Sequence, residues 1–161
     1  MPAPLSTLLR RFATEADAWF ATTRSVTEDF WNFFQGWKDR TALETADWAY
    51  FQQLGKRVHS FNSMAFARAN ALGNPNHPIE HYRRVFLDLA HGTDDPAVRV
   101  RRFLEHPEHR LAYFGHSASS EVIGQLLADR FMFLNARDEW AAEFLGIDLG
   151  FKRGDSFADK Y

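Results

Sequence analysis

The segment from His77 to His81 has the residue types of a zinc site. It reads H-P-I-E-H and so matches the H-x-x-E-H pattern of one class of zinc peptidase, in which two histidines one helical turn apart bind the metal. The glutamate of that pattern, here Glu80, activates a water molecule. Pro78 weakens the match, because it places His77 before the helix instead of on it. We therefore expect no metal, and a small zinc hydrolase is the least favoured of three functional hypotheses.

Other groups that could carry catalysis are sparse. His106 and His109 lie near acidic residues, but their position between two breaks predicts a solvated loop. The serines within 117–120 have only His116 as a nearby base, and the chain has no G-x-S-x-G turn. It also lacks the G-x-x-x-x-G-K-[ST] phosphate loop. We expect a non-catalytic protein that needs no cofactor.

Arginines are concentrated just before a glycine turn. Arg99, Arg101, Arg102 and Arg110 precede Gly115, which we predict to be the turn of a helix–hairpin–helix. The N–H groups that begin the following helix could bind a phosphate, and the arginines could follow the nucleic-acid backbone beside it. The alternative interpretation is a solvated charged face without a ligand.

Composition limits the choice of protein class. The chain has 161 residues, 45% of them hydrophobic, which is enough for one core, and we treat residues 1–161 as one domain. It has no cysteine, which fits a reducing cytoplasm. A net charge of −2 gives no general attraction to nucleic acid. No export signal or membrane-spanning apolar run is visible, so we expect a cytoplasmic protein without a membrane partner.

Apolar residues recur at three- and four-residue steps in every long segment, which predicts helices. We predict them at 4–22, from Ser25 or Thr27 to about Trp37, once or twice within 42–72, and at 78–90, 97–105, 110–114, 118–128 and 136–145. The strongest break is at 73–78, where two prolines follow a glycine. The fold class is therefore a single, compact, all-α multi-helix domain. The end, 154–161, has the pattern of a helix start, which is compatible with a chain that continues past Tyr161.

Two stretches carry a resemblance to known proteins. L-A-Y-F-G-H-S-A-S-S-E-V-I-G begins at Leu111, and F-M-F-L-N-A-R begins at Phe131. Together, within 111–146, they resemble the helix–hairpin–helix of DNA-repair glycosylases, in which a catalytic Asp follows the glycine turn. Here that position is Asn135, and no lysine is near the hairpin. The resemblance therefore implies DNA holding without glycosylase chemistry.

The same stretches are more similar to the region upstream of the motor in McrB-like AAA+ subunits of modification-dependent restriction and phage-defence systems. N-P-N-H-P-I-E-H-Y-R-R, residues 74–84, is also similar to those proteins. The resemblance covers about 73–154. It implies an N-terminal targeting domain that binds DNA and has an AAA+ motor and a nuclease subunit as partners, although no motor motif is present in this chain.

The first hypothesis is thus a non-catalytic, antiviral-defence DNA-binding domain of modest affinity. Its candidate DNA-binding residues are Arg99, Arg101, Arg102, Arg110, Gly115, His116, Ser117, Ser119, Asn135 and Arg137. The second hypothesis is a protein-interaction adaptor that docks a nuclease or effector through exposed aromatics among Phe30, Trp31, Phe34 and Trp37. Scattered arginines would favour the adaptor.

Overall fold

Most of the predicted helices form in the part of the chain that the computed structural model describes, which is residues 5–61, 65–73 and 76–161. No strand occurs within those ranges, so the all-α prediction is confirmed. The helices are α1 (Leu5–Gly36), α2 (Arg40–Glu44), α3 (Trp48–Arg57), α4 (Ala65–Arg68), α5 (Ile79–His91), α6 (Pro96–Glu105), α7 (His116–Leu126) and α8 (Ala136–Leu145). A π turn follows α4 at Ala69–Gly73, and 3-10 turns lie at His59–Phe61, Pro107–His109 and Ala158–Lys160. Of the predicted break at 73–78, residues 74 and 75 lie outside the described ranges.

Helix α1 is one element of 32 residues, and the predicted break between residues 22 and 25 is wrong. Neither glycine nor proline interrupts it before Gly36. Thr27, one of the two residues predicted to begin a second helix, bonds backwards instead: its Oγ1 donates to the Thr23 carbonyl at 3.1 Å, and Thr23 Oγ1 likewise donates to the Trp19 carbonyl at 2.9 Å. A hydroxyl bonded to the preceding turn can stay inside a helix, which explains why the chain continues.

Several helix ends follow local sequence rules. Asp95 caps α6 by accepting from the Ala97 N–H at 2.9 Å. Asn135 and Asp138 form a reciprocal capping box at the start of α8. Gly146 ends α8 in the left-handed conformation at φ 69°, which glycine adopts without steric cost.

The predicted helix at 110–114 does not form. The chain makes the 3-10 turn Pro107–His109 and then a turn at 112–113, where Tyr113 has a positive φ of 64°. Helices α6 and α7 are consequently joined by the irregular connection 106–115, not by a tight hairpin. The helix–hairpin–helix predicted within 111–146 is not confirmed.

An aromatic cluster joins the C-terminal end of α1 to α3 and α5. Trp37 is fully buried, and its ring centroid lies 4.8 Å from Phe86 and 6.1 Å from Phe51. Phe51 also stacks on Phe86 at 5.7 Å and contacts Tyr82 at 5.9 Å. Burial of these large rings is the main apolar contribution to this part of the fold.

Helix α7 organises the other end of the molecule through two adjacent polar residues. The Ser120 hydroxyl accepts from the Leu134 N–H and from the Tyr161 hydroxyl, both at 2.5 Å. The Glu121 carboxylate accepts from the N–H groups of His59 and Ser60 at 2.5 and 3.0 Å. Through these bonds α7 holds the 3-10 turn after α3, the irregular segment before α8 and the C-terminal residue Tyr161.

Replacing Phe51 with alanine should lower the free energy of unfolding by about 3–5 kcal/mol, because it empties a closed space among five other rings. Urea denaturation followed by circular dichroism measures this. Phe66→Ala, at a ring that is 71% exposed, is the matched control and should change stability by less than about 1 kcal/mol. Equal effects of the two variants would contradict this description of the core.

Candidate functional site

Arg99, the first candidate DNA-binding residue, lies inside the domain. It shares the buried side of α6 with Val100 and Phe103 and is only 7% exposed. Its guanidinium donates to the Leu89 carbonyl at 2.7 Å. Leu89 is in the last turn of α5, where carbonyls lack intrahelical donors, so Arg99 closes a helix end. The structure therefore gives Arg99 a partner within the protein and leaves it little surface to offer to a phosphate.

Arg101 is exposed but is already paired with acids. It bonds the Asp159 carboxylate at 2.5 Å and lies 3.4 Å from Glu105. The bond from Arg101, together with bonds from Ser156, lowers the pKa of Asp159 to about 2. The charge of Arg101 is thereby balanced by the C-terminal segment.

Arg102 is half-buried between two acids from neighbouring elements. Its Nε lies 3.2 Å from Asp88 Oδ2, and its terminal nitrogen bonds Asp94. Both carboxylates help to raise the pKa of Arg102, with the Asp94 bond as the largest cause. The three arginines of α6 thus do not form a free basic surface.

The remaining candidates lie at or near the starts of α7 and α8. Arg110, Gly115, His116, Ser117 and Arg137 are exposed, Asn135 is half-buried, and Ser119 is buried. Gly115 is the N-cap of α7, and a Cβ built on it meets nothing within 4 Å. His116 stacks on Phe157 at 4.3 Å. Asn135 uses its side chain to cap α8 through the Arg137 N–H at 2.8 Å. The start of α7 stays open to solvent, whereas Ser119 is buried and Asn135 caps α8.

The H-x-x-E-H segment is occupied by contacts of its own. His81 Nε2 donates to the Arg110 carbonyl at 3.3 Å, and its Nδ1 accepts from Arg84 at 3.2 Å. A ring that donates from one nitrogen and accepts at the other is neutral. Burial favours the same neutral form, because it lowers the pKa of His81. His77 stacks on that ring at 4.3 Å and does not cap α5. Within the described ranges, no three His, Cys, Asp or Glu residues are grouped as metal ligands would be.

One candidate interaction surface was not predicted from the sequence: the exposed apolar side of α1. Between Leu5 and Asp29 every residue except Ala16 is exposed or half-buried. Large apolar residues in this stretch are 43–60% exposed: Leu5, Leu9, Phe12, Trp19, Phe20 and Val26. Isolated exposed apolar residues are ordinary, but a continuous line of them marks an interaction surface. We call this line the α1 stripe.

The spacing of the α1 stripe is a signal that could have been found in the sequence. Five of its six residues, all but Phe20, lie together with Ala16, Thr23 and Phe30 at positions 5, 9, 12, 16, 19, 23, 26 and 30, which alternate steps of four and three residues. That repeat is typical of a helix that packs along another helix. The sequence alone leaves open whether the aromatic residues of this half of the chain belong to the core or to a partner surface, and the structure places those of the stripe at the surface.

Two of the four aromatic residues that the adaptor hypothesis expected at the surface are buried. Phe34 and Trp37 are fully buried in the core, and Phe30 is half-buried. Trp31 is 47% exposed and lies under the Lys38 ammonium at 5.4 Å. The exposed rings lie earlier on the same helix, whereas the contacts of α1 with α3, Asp29 with Arg57 and Phe33 with Tyr50, lie in its last turns.

A second apolar surface lies around α8. Trp140 and Phe144 are exposed and stack on each other at 5.7 Å. Beside them an open groove of about 610 Å³ runs between α8 and the C-terminal segment, where Lys160 bonds Glu139 at 2.7 Å. Among its lining residues are Phe131, Met132, Leu134, Ala142, Leu145, Ile147 and Tyr161. Arg130, Asp138 and Lys160 also line the groove and make part of its rim charged.

The geometry defines a class of protein: an all-α domain with one long helix whose apolar stripe faces solvent. Comparison with protein-family models, with curated proteins and with solved structures finds no match to this chain. Within the described ranges, every helix is too short or too polar to span a membrane.

Arg99→Ala should lower the free energy of unfolding by roughly 2–4 kcal/mol, since it leaves the Leu89 carbonyl unpaired and a space beside α5. Arg110→Ala removes an exposed arginine and should change stability by less than about 0.5 kcal/mol. Thermal and urea unfolding of both variants test this. A stable Arg99→Ala protein would show that this residue is not a structural part of α6.

Burial sets the protonation of His109, which is 8% exposed. Its Nε2 lies 3.4 Å from Asp88, which favours protonation, but burial is the larger influence and lowers the pKa. The nearby charges of Arg84, Arg102 and His106 lower it further. The folded protein therefore holds this ring neutral below the ordinary histidine pKa.

The folded state should lose stability as the pH falls below about 6.5, the ordinary pKa of histidine, because there the unfolded chain binds more protons than the folded one. His109→Gln should make this dependence weaker between about pH 5 and 7, and the part that remains comes from His81, whose pKa burial also lowers. Asp159, with a pKa of about 2, titrates below that window. Urea unfolding across the pH range measures the slope, and an unchanged slope in the variant would contradict the assignment.

Proposed function

We propose that this chain is a non-catalytic protein-interaction module that docks another protein through the α1 stripe. The observation that carries the proposal is the exposure of the stripe on a helix whose last turns are fixed in the core. A rise of 1.5 Å per residue makes the stripe from Leu5 to Phe30 about 38 Å long. An apolar line of that length is costly to leave in water, and a protein partner removes the cost.

The charge distribution supports protein binding over nucleic-acid binding. The DNA hypothesis relied on the arginines of α6, of which Arg99 is buried and Arg101 and Arg102 are paired with carboxylates. Phosphate binding would have to replace those pairs, and the net charge of −2 supplies no compensating attraction. The adaptor hypothesis needs neither change.

The similarity to McrB-like defence proteins gives this module a context. In such a system the domain would serve assembly, while a motor and a nuclease carry out the work on DNA. The exposed candidates near the starts of α7 and α8 still support the DNA-targeting hypothesis: Arg110, Gly115, His116, Ser117 and Arg137. DNA targeting stays the competing proposal, and the two make opposite predictions.

Photocrosslinking in cells tests the docking surface. A benzoyl-phenylalanine introduced at Phe12 or Trp19, on the stripe, should give adducts to protein, identified by mass spectrometry. The same residue at Thr14 or Ala21, on the exposed opposite side of α1, is the matched control and should give few. Equal yields at all four positions, or no protein adducts, would refute the proposal.

Titration of fluorescent single-stranded, duplex and methylated DNA in low salt tests the competing function. We expect no saturable binding, because the α6 arginines are neutralised. Salt-sensitive binding that Arg110→Ala weakens would support DNA targeting, and it would count against a purely protein-binding role. Arg24→Ala, on the exposed side of α1, controls for general loss of positive charge.

A further inference from the structure

We infer that the partner of the α1 stripe is a second copy of this chain, whose α1 packs antiparallel to the first. The inference rests on the proposed function, since it names the occupant of that docking surface. The two-fold axis would pass between Asp17 and Ala18, near the middle of the stripe. A closed, symmetric pair is the commonest form of self-assembly.

The repeat of the stripe fits a helix partner better than a flat surface. Alternating steps of four and three residues average 3.5, so the apolar line remains on one side of a slightly supercoiled helix pair. None of the charged residues between Leu5 and Phe30 occupies one of the stripe positions. The stripe can therefore be buried along its whole length without burying an ion.

Side-chain size distinguishes the antiparallel arrangement from the parallel one. In the proposed register, each small residue of the stripe faces a large residue of the other copy. Each such pair forms one layer of the interface, and the layers then have similar thickness. A parallel pair would instead place Trp19 against Trp19 and Ala16 against Ala16, which gives one thick and one thin layer in succession. The antiparallel layers pair Leu5 with Phe30, Leu9 with Val26, Phe12 with Thr23, and Ala16 with Trp19 of the second copy.

The flanking positions of the stripe are compatible with this register. Glu15 would lie beside Thr22 of the second copy, and Asp29 beside Leu8, so no two acids face each other. Asp29 also has a cation of its own chain, because Arg57 bonds it at 3.1 Å. Phe20 would meet Ala13, which again combines a large and a small side chain.

The available area reaches the size of a specific interface. Phe12, Trp19 and Phe20 are 45–60% exposed, and rings of this kind bury roughly 150–250 Å² each. With the exposed aliphatic residues of the stripe, one copy offers on the order of 500–600 Å². Two copies would then bury about 1,000–1,200 Å², close to the lower limit for a stable and specific contact.

The position of the globular parts also favours the antiparallel pair. Each α1 is anchored at its C-terminal end, where Phe34 and Trp37 are buried in the core. Antiparallel packing places the two cores at opposite ends of the pair, with the two Phe30 residues about 38 Å apart. Parallel packing would press the two cores together beside the same residues.

Self-association is tested by sedimentation and light scattering of the whole chain from about 1 to 200 µM. We expect a species of twice the 18.6 kDa chain mass that dissociates on dilution. Trp19→Asp should raise the dissociation constant at least 100-fold, because symmetry places the charge in the interface twice. Ala21→Asp adds the same charge on the exposed opposite side and should change it less than threefold. Circular dichroism checks that both variants keep the fold.

Orientation is tested with single cysteines, since the natural chain has none. A mixture of a Leu9→Cys chain and a tagged Val26→Cys chain should, on mild oxidation, give mainly the mixed disulfide, because these positions face each other in the antiparallel pair. Disulfides within each variant alone would show parallel packing and overturn the proposed register.

A chain that stays monomeric up to 200 µM while its helical content is intact would overturn self-association. Photocrosslinks from Phe12 and Trp19 to a different protein would then still support docking through the stripe. Their absence as well would remove the proposed function itself, so the two failures are distinguishable.

Discussion

The burial of Trp37 in the core fixes the end of α1, and the exposure of the α1 stripe depends on that anchor. The ring of Trp37 is fully buried against Phe51 and Phe86, and its carbonyl accepts from His91 Nε2 at 3.0 Å. Helix α1 is therefore held by its final turns, with the Arg57–Asp29 pair just before them. Between Leu5 and Asp29 every residue except Ala16 is exposed or half-buried, so the stripe lies on the accessible part of a helix whose end is fixed. A docking surface that is already ordered loses little conformational entropy when a partner binds.

The arginines of α6 show how the same residues can serve stability instead of recognition. Arg99 closes the end of α5, and Arg102 links two acids that come from α5 and the loop after it. Such pairs contribute little at the surface but position elements where they are partly buried. A cluster of arginines in a sequence therefore indicates a binding surface only if the arginines remain exposed and are not paired with carboxylates of the same protein.

Some features could be predicted because the interactions involved are local. Helix positions follow from apolar spacing, and the caps at Asp95 and Asn135 follow from residues two or three positions apart. The glycine predicted to precede a helix, Gly115, is the N-cap of α7. The break within α1 was predicted wrongly because a threonine can either begin a helix or bond back into one. The helix predicted at 110–114 does not form, because Tyr113 lies in a turn with a positive φ, which a right-handed helix does not allow.

The sequence by itself determined that this is an all-α chain, where most of its helices begin and end, and that α1 has an apolar side. Only the tertiary structure decided which apolar residues enter the core and which charges remain free. Phe34 and Phe12 belong to one amphipathic helix, yet the first is buried and the second is 60% exposed. The reason is physical: helical period depends on neighbours a few residues away, whereas burial and ion pairing depend on segments that are distant along the chain.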